Sequence, residues 1–360
     1  MLVDDSAVIR GLLTRWIQEE PDIEVVASVA NGAQAVRRVA KSEAEIVVLD
    51  IEMPEMDGLT ALPEILKAAP GVQVIMASTL TRDSADVSLR ALALGAADYL
   101  PKPGSVRAVT TGEGFRWELI EKLRALAKAK RKKKFPAPVT AKGRADQLRS
   151  PSVAPPPKKR ARIVARAVGR PAAIGIGSST GGPQALMKAL TQLGTGLSVP
   201  VFVTQHMPPT FTAILAEHIQ KIASCACAEA VDGEIVAPGR IYIAPGDFHM
   251  AVKKQNNEVR IRVYEGPQEN FCRPAVDPLF RSLADVYGAR LLAVVLTGMG
   301  HDGREGARQV VERGGAVIAQ DEQSSVVWGM PGAVVEAGLA QTVLPLDGIS
   351  VEIKKRLGGA

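Results

Sequence analysis

Twice along the chain, short apolar runs alternate with segments whose apolar residues return every third or fourth position, and a stretch that does neither separates the two series. Such runs predict strands buried on both faces, and the helical period between them supplies the crossovers that parallel strands need. In the first series the runs fall at residues 23–27, 45–49, 72–77 and 98–100, with helical segments at 33–42, 59–69, 84–94 and 115–130. In the second they fall at 172–177, 199–204, 240–243, 291–296 and 316–319, with helical segments at 183–193, 210–222, 276–287 and 304–313. Alternating polar and apolar residues over 259–263 predict a small antiparallel insertion in the second series. The expected fold is α/β throughout: a domain with a parallel five-stranded sheet, then a doubly wound domain. Because 360 residues exceed what one core ordinarily supports, two domains follow.

The separating stretch is the basic part of the chain. Residues 101–170 hold 20 Lys and Arg against 4 Asp and Glu, within a net charge of only +6, so the flanking series are acidic together. Lys132, Lys133 and Lys134 and then Lys158, Lys159 and Arg160 lie on either side of Pro151, Pro155, Pro156 and Pro157, with few large apolar residues between them. That composition buries too little surface to offset the entropy of ordering the chain. Residues 131–170 are therefore expected to link a domain at 1–130 to one at 171–357. The segment reads first as a solvated tether and second as a surface for acidic partners. No nucleic-acid reader module is visible, so no specific nucleic-acid binding is expected.

No apolar run approaches the roughly 18 residues of a membrane span, and Met1 opens no signal-peptide pattern. Cys225, Cys227 and Cys272 match neither zinc-ligand spacing nor a C-x-x-C pair, so free thiols in a reducing compartment are expected. A cytoplasmic chain that is not an integral membrane protein follows.

In the first series Asp4 and Asp5 directly follow Leu2-Val3, and Asp50 ends the run before it. The ends of neighbouring parallel strands converge, and like charges crowded there favour a hard divalent cation, Mg2+ being usual beside phosphate. Any one of these acids could be a helix cap. With Ser78 and Lys102 ending later strands, the set reads as a pocket. Asp4-Asp5-Ser6, Leu49-Asp50-Ile51-Glu52-Met53-Pro54-Glu55-Met56-Asp57-Gly58, Ser78 and Tyr99-Leu100-Pro101-Lys102-Pro103 together resemble a response-regulator receiver domain, a flavodoxin-like fold, over residues 1–130. The resemblance implies that Asp50 accepts a phosphoryl group from a histidine kinase. It also implies that Asp4, Asp5, Asp50 and the Glu52 carbonyl hold Mg2+, that Lys102 pairs with the phosphate, and that Ser78 and Tyr99 form the switch pair. One departure is the first strand, since only Met1-Leu2-Val3 precede the acids.

In the second series Gly177-Ser178-Ser179-Thr180-Gly181-Gly182 follows an apolar run and precedes a helical segment. It fits G-x-S-x-G with Ser179 central, where a sharp strand-to-helix turn exposes a serine oxygen. A dinucleotide fingerprint opening at Gly175 is the rival, but position 180 is Thr and no Asp or Glu occurs from Pro183 to Ala216 to bind a ribose. A serine nucleophile needs a base, and the chain offers His206, His218, His249 and His301. His206 directly follows an expected strand at the sheet edge of Ser179 and is the best candidate. His218 reads as a solvated helix residue, and His249 as a loop residue able to position substrate. Asp302, beyond the run 291–296, is the expected acceptor that orients the ring; its other reading is an N-cap for the next helix.

Ile176 to Pro183, Thr204-Gln205-His206-Met207-Pro208-Pro209, Tyr242 to Met250, Arg273-Pro274-Ala275-Val276-Asp277, Leu296 to Gly303 and Trp328-Gly329-Met330-Pro331 closely resemble the chemotaxis protein-glutamate methylesterases (CheB family) over residues 172–355. That family joins a receiver to an esterase through a linker. The resemblance implies phosphorylation-controlled hydrolysis of glutamyl methyl esters on methyl-accepting chemoreceptors, often with deamidation of receptor glutamines, in chemotactic adaptation. It implies Ser179 as nucleophile, His206 as base and then acid, Asp302 as its orienting partner and the Met299 N–H in the oxyanion hole, with no cofactor for the esterase. Ser178 stands where the family commonly has a small apolar residue and is a nominal competitor of Ser179. The alternative from another class is a regulatory binding protein, phosphorylated at Asp50, whose second domain is not catalytic.

Overall fold

The computed structural model describes residues 1–102, 113–134, 169–194, 197–223 and 225–358. Nearly all of the expected linker at 131–170, including the side chains of its two basic clusters, lies outside them. Among the described residues no helix is long and apolar enough to cross a membrane.

The first domain runs β1 (Leu2–Val3), α1 (Ala7–Gln18), β2 (Ser28–Val29), α2 (Gly32–Val39), β3 (Ile46–Asp50), α3 (Gly58–Ala68), β4 (Gln73–Thr79), α4 (Arg82–Ala93), β5 (Asp98–Lys102) and α5 (Glu113–Lys134). Its five strands are all parallel, in the order β2-β1-β3-β4-β5. Ser6, Asn31, Asp57 and Thr81 each accept the backbone N–H three residues on, which stops the first four helices fraying at the edge where the acids lie. The strand expected over 23–27 is displaced: β1 is two residues long, so its edge neighbour finds ladder partners only at Ser28 and Val29.

The second domain runs β6 (Ala173–Ser178), α6 (Gly182–Leu193), β7 (Val201–Gln205), α7 (Phe211–Ala223), β8 (Ala226–Glu229), β9 (Arg240–Ile243), β10 (His249–Gln255), β11 (Glu258–Tyr264), α8 (Val276–Tyr287), β12 (Leu291–Val295), α9 (Arg304–Glu312), β13 (Ala316–Gln320), α10 (Met330–Glu336), β14 (Thr342–Leu344) and α11 (Leu346–Arg356). Seven parallel strands follow the order β14-β13-β12-β6-β7-β9-β8, and β10-β11 is the antiparallel insertion. Fully buried runs such as Leu291–Val295 sit between helices on both faces, as parallel strands require. The chain leaves β6 towards β7 on one side and returns to β12 on the other. The crevice beside β6 is therefore a topological switch point, where open α/β sheets bind their ligands.

The two domains meet through α4, β5 and α5. Helix α4 packs on α6 and α7. The Tyr99 ring stacks on Phe211 at 4.7 Å. Gln184 donates its amide to the Ala96 carbonyl at 2.7 Å. Asp86 pairs with His218 at 2.8 Å, so His218 is an interface residue rather than a solvated one. Near the N-terminal half of α5, the Trp117 ring lies 5.8 Å from Phe271. A cluster including Trp16, Phe115, Leu119 and Val327 takes Met299 and Val326 against its edge.

Candidate active site

At the carboxyl edge of the first sheet, single ligand oxygens of Asp4, Asp5 and Asp50 lie within 4.8 Å of one another. Lys102 sits between two of them, its Nζ 2.7 Å from Asp4 Oδ2 and 2.7 Å from Asp50 Oδ1. Burial pushes the Asp50 carboxyl up to about 6; the Lys102 charge opposes this and Asp4 adds to it. Burial works against the Lys102 charge too, but Asp50 and Asp4 outweigh it and hold its pKa above the ordinary value. Next to Ala77, the register partner of Asp50 on β4, Ser78 has its hydroxyl buried and unpartnered among the described residues. A buried hydroxyl without an acceptor is disfavoured unless something else fills the pocket. Glu52 is exposed, and its carboxylate lies 3.5 Å from Ser84 Oγ.

In the second domain, parallel register brings three loops together at the ends of β12, β6 and β7. Ser179 N–H donates to the Thr297 carbonyl at 3.0 Å, and His206 N–H donates to the Ser178 carbonyl at 3.1 Å. Gln205 stitches the loops after β6 and β7: its amide donates to the Ser179 carbonyl at 2.9 Å and to the His206 carbonyl at 3.2 Å. Its Oε1 accepts the Ser178 hydroxyl at 2.7 Å. Ser178 is thus fully buried and committed, whereas Ser179 remains partly exposed, which separates the two serines physically. The turn into α6 needs Gly181 at φ 72°, and a Cβ on Gly182 would collide with Gln205. Gly298 approaches so closely that a Cβ there would strike Ser179 and Met330, which carries the following Met299 past the serine. The Met299 side chain packs against the aromatic cluster of the first domain.

His206 Nε2 bonds Asp302 Oδ2 at 2.8 Å, and Nδ1 faces the Cys272 sulfur at 3.3 Å. Among the described residues these are the ring's two partners, and the Ser179 hydroxyl is not one of them. Asp302 also accepts Val276 N–H at 2.6 Å, Asp277 N–H at 3.1 Å, Gly303 N–H at 2.9 Å and the Asn270 amide at 2.9 Å. It therefore caps α8, not the helix that follows it. Burial would raise the Asp302 pKa, but His206 and these N–H groups outweigh it and hold it well below the carboxylate range. For His206, burial lowers the pKa while Cys272 and Asp302 together drive it up, to about 10. Asp277 lies behind this pair, bonded to Gly306 N–H and the Asn270 amide, its pKa raised by burial and by the Asp302 charge.

The same residues frame the comparison with known proteins. Residues 174–353 match the family model described as CheB methylesterase, and residues 1–111 match that of the response regulator receiver domain. A protein-glutamate methylesterase/protein-glutamine glutaminase of group 2 operon from Rhodospirillum centenum is 50% identical over 99% of this chain and 93% of its own length. A protein-glutamate methylesterase/protein-glutamine glutaminase from Azospirillum brasilense is 51% identical over 99% of this chain and 91% of its own length. The chain belongs to the CheB methylesterase family. The crystal structure of the Thermotoga maritima CheB methylesterase catalytic domain, 43% identical, superposes with a TM-score of 0.51 over 51% of this CheB-family chain and 98% of that one.

In this CheB-family chain, sequence reasoning brought Ser179, His206 and Asp302 to one edge but missed the residues that hold them. Gln205 was signalled only by ending the strand that His206 follows. Asn270 and Cys272 carry no periodic signal at all. His249 is reassigned: its Nδ1 accepts Ala275 N–H at 3.3 Å and its Nε2 therefore donates to the Pro267 carbonyl at 2.9 Å. Both nitrogens are spent on backbone in a buried site, so His249 anchors the loop that carries Cys272 instead of meeting substrate.

Proposed function

We propose that this chain is a phosphorylation-controlled protein-glutamate methylesterase that removes methyl esters from chemoreceptor glutamates and deamidates receptor glutamines. The observation that carries this reading is the His206–Asp302 pair beside Ser179 at a topological switch point, in a chain that also holds the Asp50 pocket. Ser179 Oγ attacks the ester carbonyl carbon and His206 takes the hydroxyl proton. The Met299 N–H faces the developing oxyanion. His206 then returns its proton to the departing methoxide, methanol leaves, and water releases the glutamate by the same steps in reverse roles. A glutamine side chain follows the same course with ammonia as leaving group. Asp302, ionised and fixed by five donors, holds the imidazole and stabilises its cation without taking the proton.

The receiver pocket fits a divalent cation and a phosphoryl group: its donors are carboxylate oxygens, and the unpartnered Ser78 hydroxyl is a ready donor to a phosphoryl oxygen. Asp4, Asp5, Asp50 and the Glu52 carbonyl would hold Mg2+, which neutralises phosphoryl charge when bound. Lys102 would leave Asp50 for the phosphate, and Ser78 with Tyr99 would carry the change to the Tyr99–Phe211 stack. The reading divides the chain into a receiver at 1–130, a linker at 131–170 and a catalytic domain at 171–357. A cytoplasmic chemotaxis kinase and the cytoplasmic helices of chemoreceptors are its partners. Methanol release from methylated receptor membranes, with and without a small phosphodonor, tests the whole reading. No release by the phosphorylated full-length protein would overturn it.

A further inference from the structure

The two hydrogen bonds of the His206 ring do not match the use just proposed for it. Nε2 is committed to Asp302, so Nδ1 is the nitrogen left to accept the Ser179 proton, yet Cys272 faces it. Cys272 arrives there by construction. Glu269 and Cys272 exchange backbone hydrogen bonds of 3.1 and 2.9 Å around Asn270 and Phe271, which stand at φ 53° and 62°. That is a two-residue turn of the kind glycine or asparagine favours, and Phe271 holds it at a steric cost. The turn is pinned by Glu269 to Arg281 at 2.6 Å and by Arg273 to the Gly266 carbonyl at 2.7 Å. One side of it sends the Asn270 amide to both Asp277 and Asp302, and the other sends the Cys272 sulfur to His206.

We propose that Cys272 is a positioning residue of the esterase, whose sulfur holds Nδ1 of His206 in the resting protein, so that turnover begins only when Ser179 replaces it. The inference rests on His206 being the base. The sulfur stands 3.3 Å from Nδ1 while Asp302 holds Nε2, so it occupies the place that the Ser179 hydroxyl must take. Around this ring the titratable groups are Asp302 before α9, Asp277 at the start of α8 and Cys272 on the turn. The carboxylate and the sulfur both favour the charged ring, and their pull exceeds the opposing effect of burial. An imidazolium cannot accept the serine proton. Sulfur is also a weak hydrogen-bond partner, so the contact yields to an oxygen once substrate orders the site.

The test is the pH dependence of methanol release by full-length, phosphodonor-treated protein on methylated receptor membranes, for wild type, Cys272→Ala and Cys272→Ser. Both variants remove the sulfur that helps hold the His206 pKa up, so the acid limb of the kcat/KM profile, which reports the free enzyme, should move down by about one pH unit or more. Near neutral pH kcat/KM should rise by about 3–10-fold, since each unit of base pKa is tenfold in its free fraction. An unshifted limb in both variants, or a fall in kcat/KM without a shift, overturns the proposal. His206→Ala, run alongside, separates the two readings. If it retains turnover, the base assignment fails and the inference with it; if it is inactive while the Cys272 profiles match wild type, only the inference fails.

Discussion

Asp50 and Asp302 are both buried carboxylates at the carboxyl edges of parallel sheets, and their pKa values move in opposite directions. Asp50 accepts one backbone N–H, from Ile51, and shares Lys102 with Asp4, so burial and its acidic neighbour prevail. Asp302 collects three backbone N–H groups, an amide and an imidazole, so the donors prevail. Depth alone does not set a buried acid's behaviour; the number of donors aimed at it does. A carboxylate left short of donors is suited to be modified, and one saturated with them is suited to orient something else.

The harshest trial of this contrast is at the nucleophile. Ser179→Ala and His206→Ala should each lower kcat for methanol release by about four orders of magnitude or more, and Ser178→Ala by far less, because Ser178 is bound to Gln205. Near-normal turnover in Ser179→Ala breaks the site assignment. Next in size is Asp302→Asn, for which about three to four orders in kcat are expected, since an amide cannot hold the same ring tautomer and cation. Only a modest loss there would mean that saturation of Asp302 serves the fold alone.

The third trial reads stability against pH in metal-free buffer, where the two acids should differ in sign. Asp50 titrates in the folded state at about 6 against an unfolded 3.8, so its favourable contribution is full below about pH 4 and lost by about pH 6. Asp50→Asn, permanently neutral, should stabilise the receiver at pH 7.5 by about 1–3 kcal/mol, with the gain vanishing near pH 4, as followed by urea unfolding. Asp302 is depressed instead, so its contribution is present above its unfolded pKa and lost on acidification, and Asp302→Asn should destabilise at pH 7.5. A destabilising Asp50→Asn would refute the donor-count argument. The smallest effect concerns communication between the sites. Removing the Tyr99–Phe211 stack by Phe211→Ala, worth about 0.5–1.5 kcal/mol, should raise the unphosphorylated esterase rate about two- to tenfold. Deleting residues 1–150 should raise it further, and no change in either protein argues against the receiver covering the cleft.

What could be read from the chain in advance was whatever sits at the end of a strand. Buried parallel strands announce themselves as apolar runs, and the residue after each run is forced to the shared edge, which is how Asp50, Ser179 and His206 were legible. Helix α1 was equally legible, with Ile9, Leu12, Leu13, Trp16 and Ile17 at helical spacing, although it was absent from the expected set. The short edge strands β8 and β14 and the seven-residue α10 leave too little pattern to detect. Cys272 and Asn270 were illegible for another reason: they reach His206 and Asp302 across 66 and 32 residues through a turn, and turns carry no period. The centre of G-x-S-x-G singled out Ser179, but the bond that commits Ser178 to Gln205 was illegible, because no sequence pattern states a side chain's direction.

Asp302 has one further consequence, because the carboxylate that steadies the imidazole also closes the N-terminus of α8. A mutational scan scored by melting temperature would file it with the structural residues, and one scored by turnover would file it with the catalytic ones. Variants that lose the acid lose durability and activity in the same step. At this position, therefore, no substitution that removes the acid leaves an intact but idle domain, and the capping bond acts as a ratchet there.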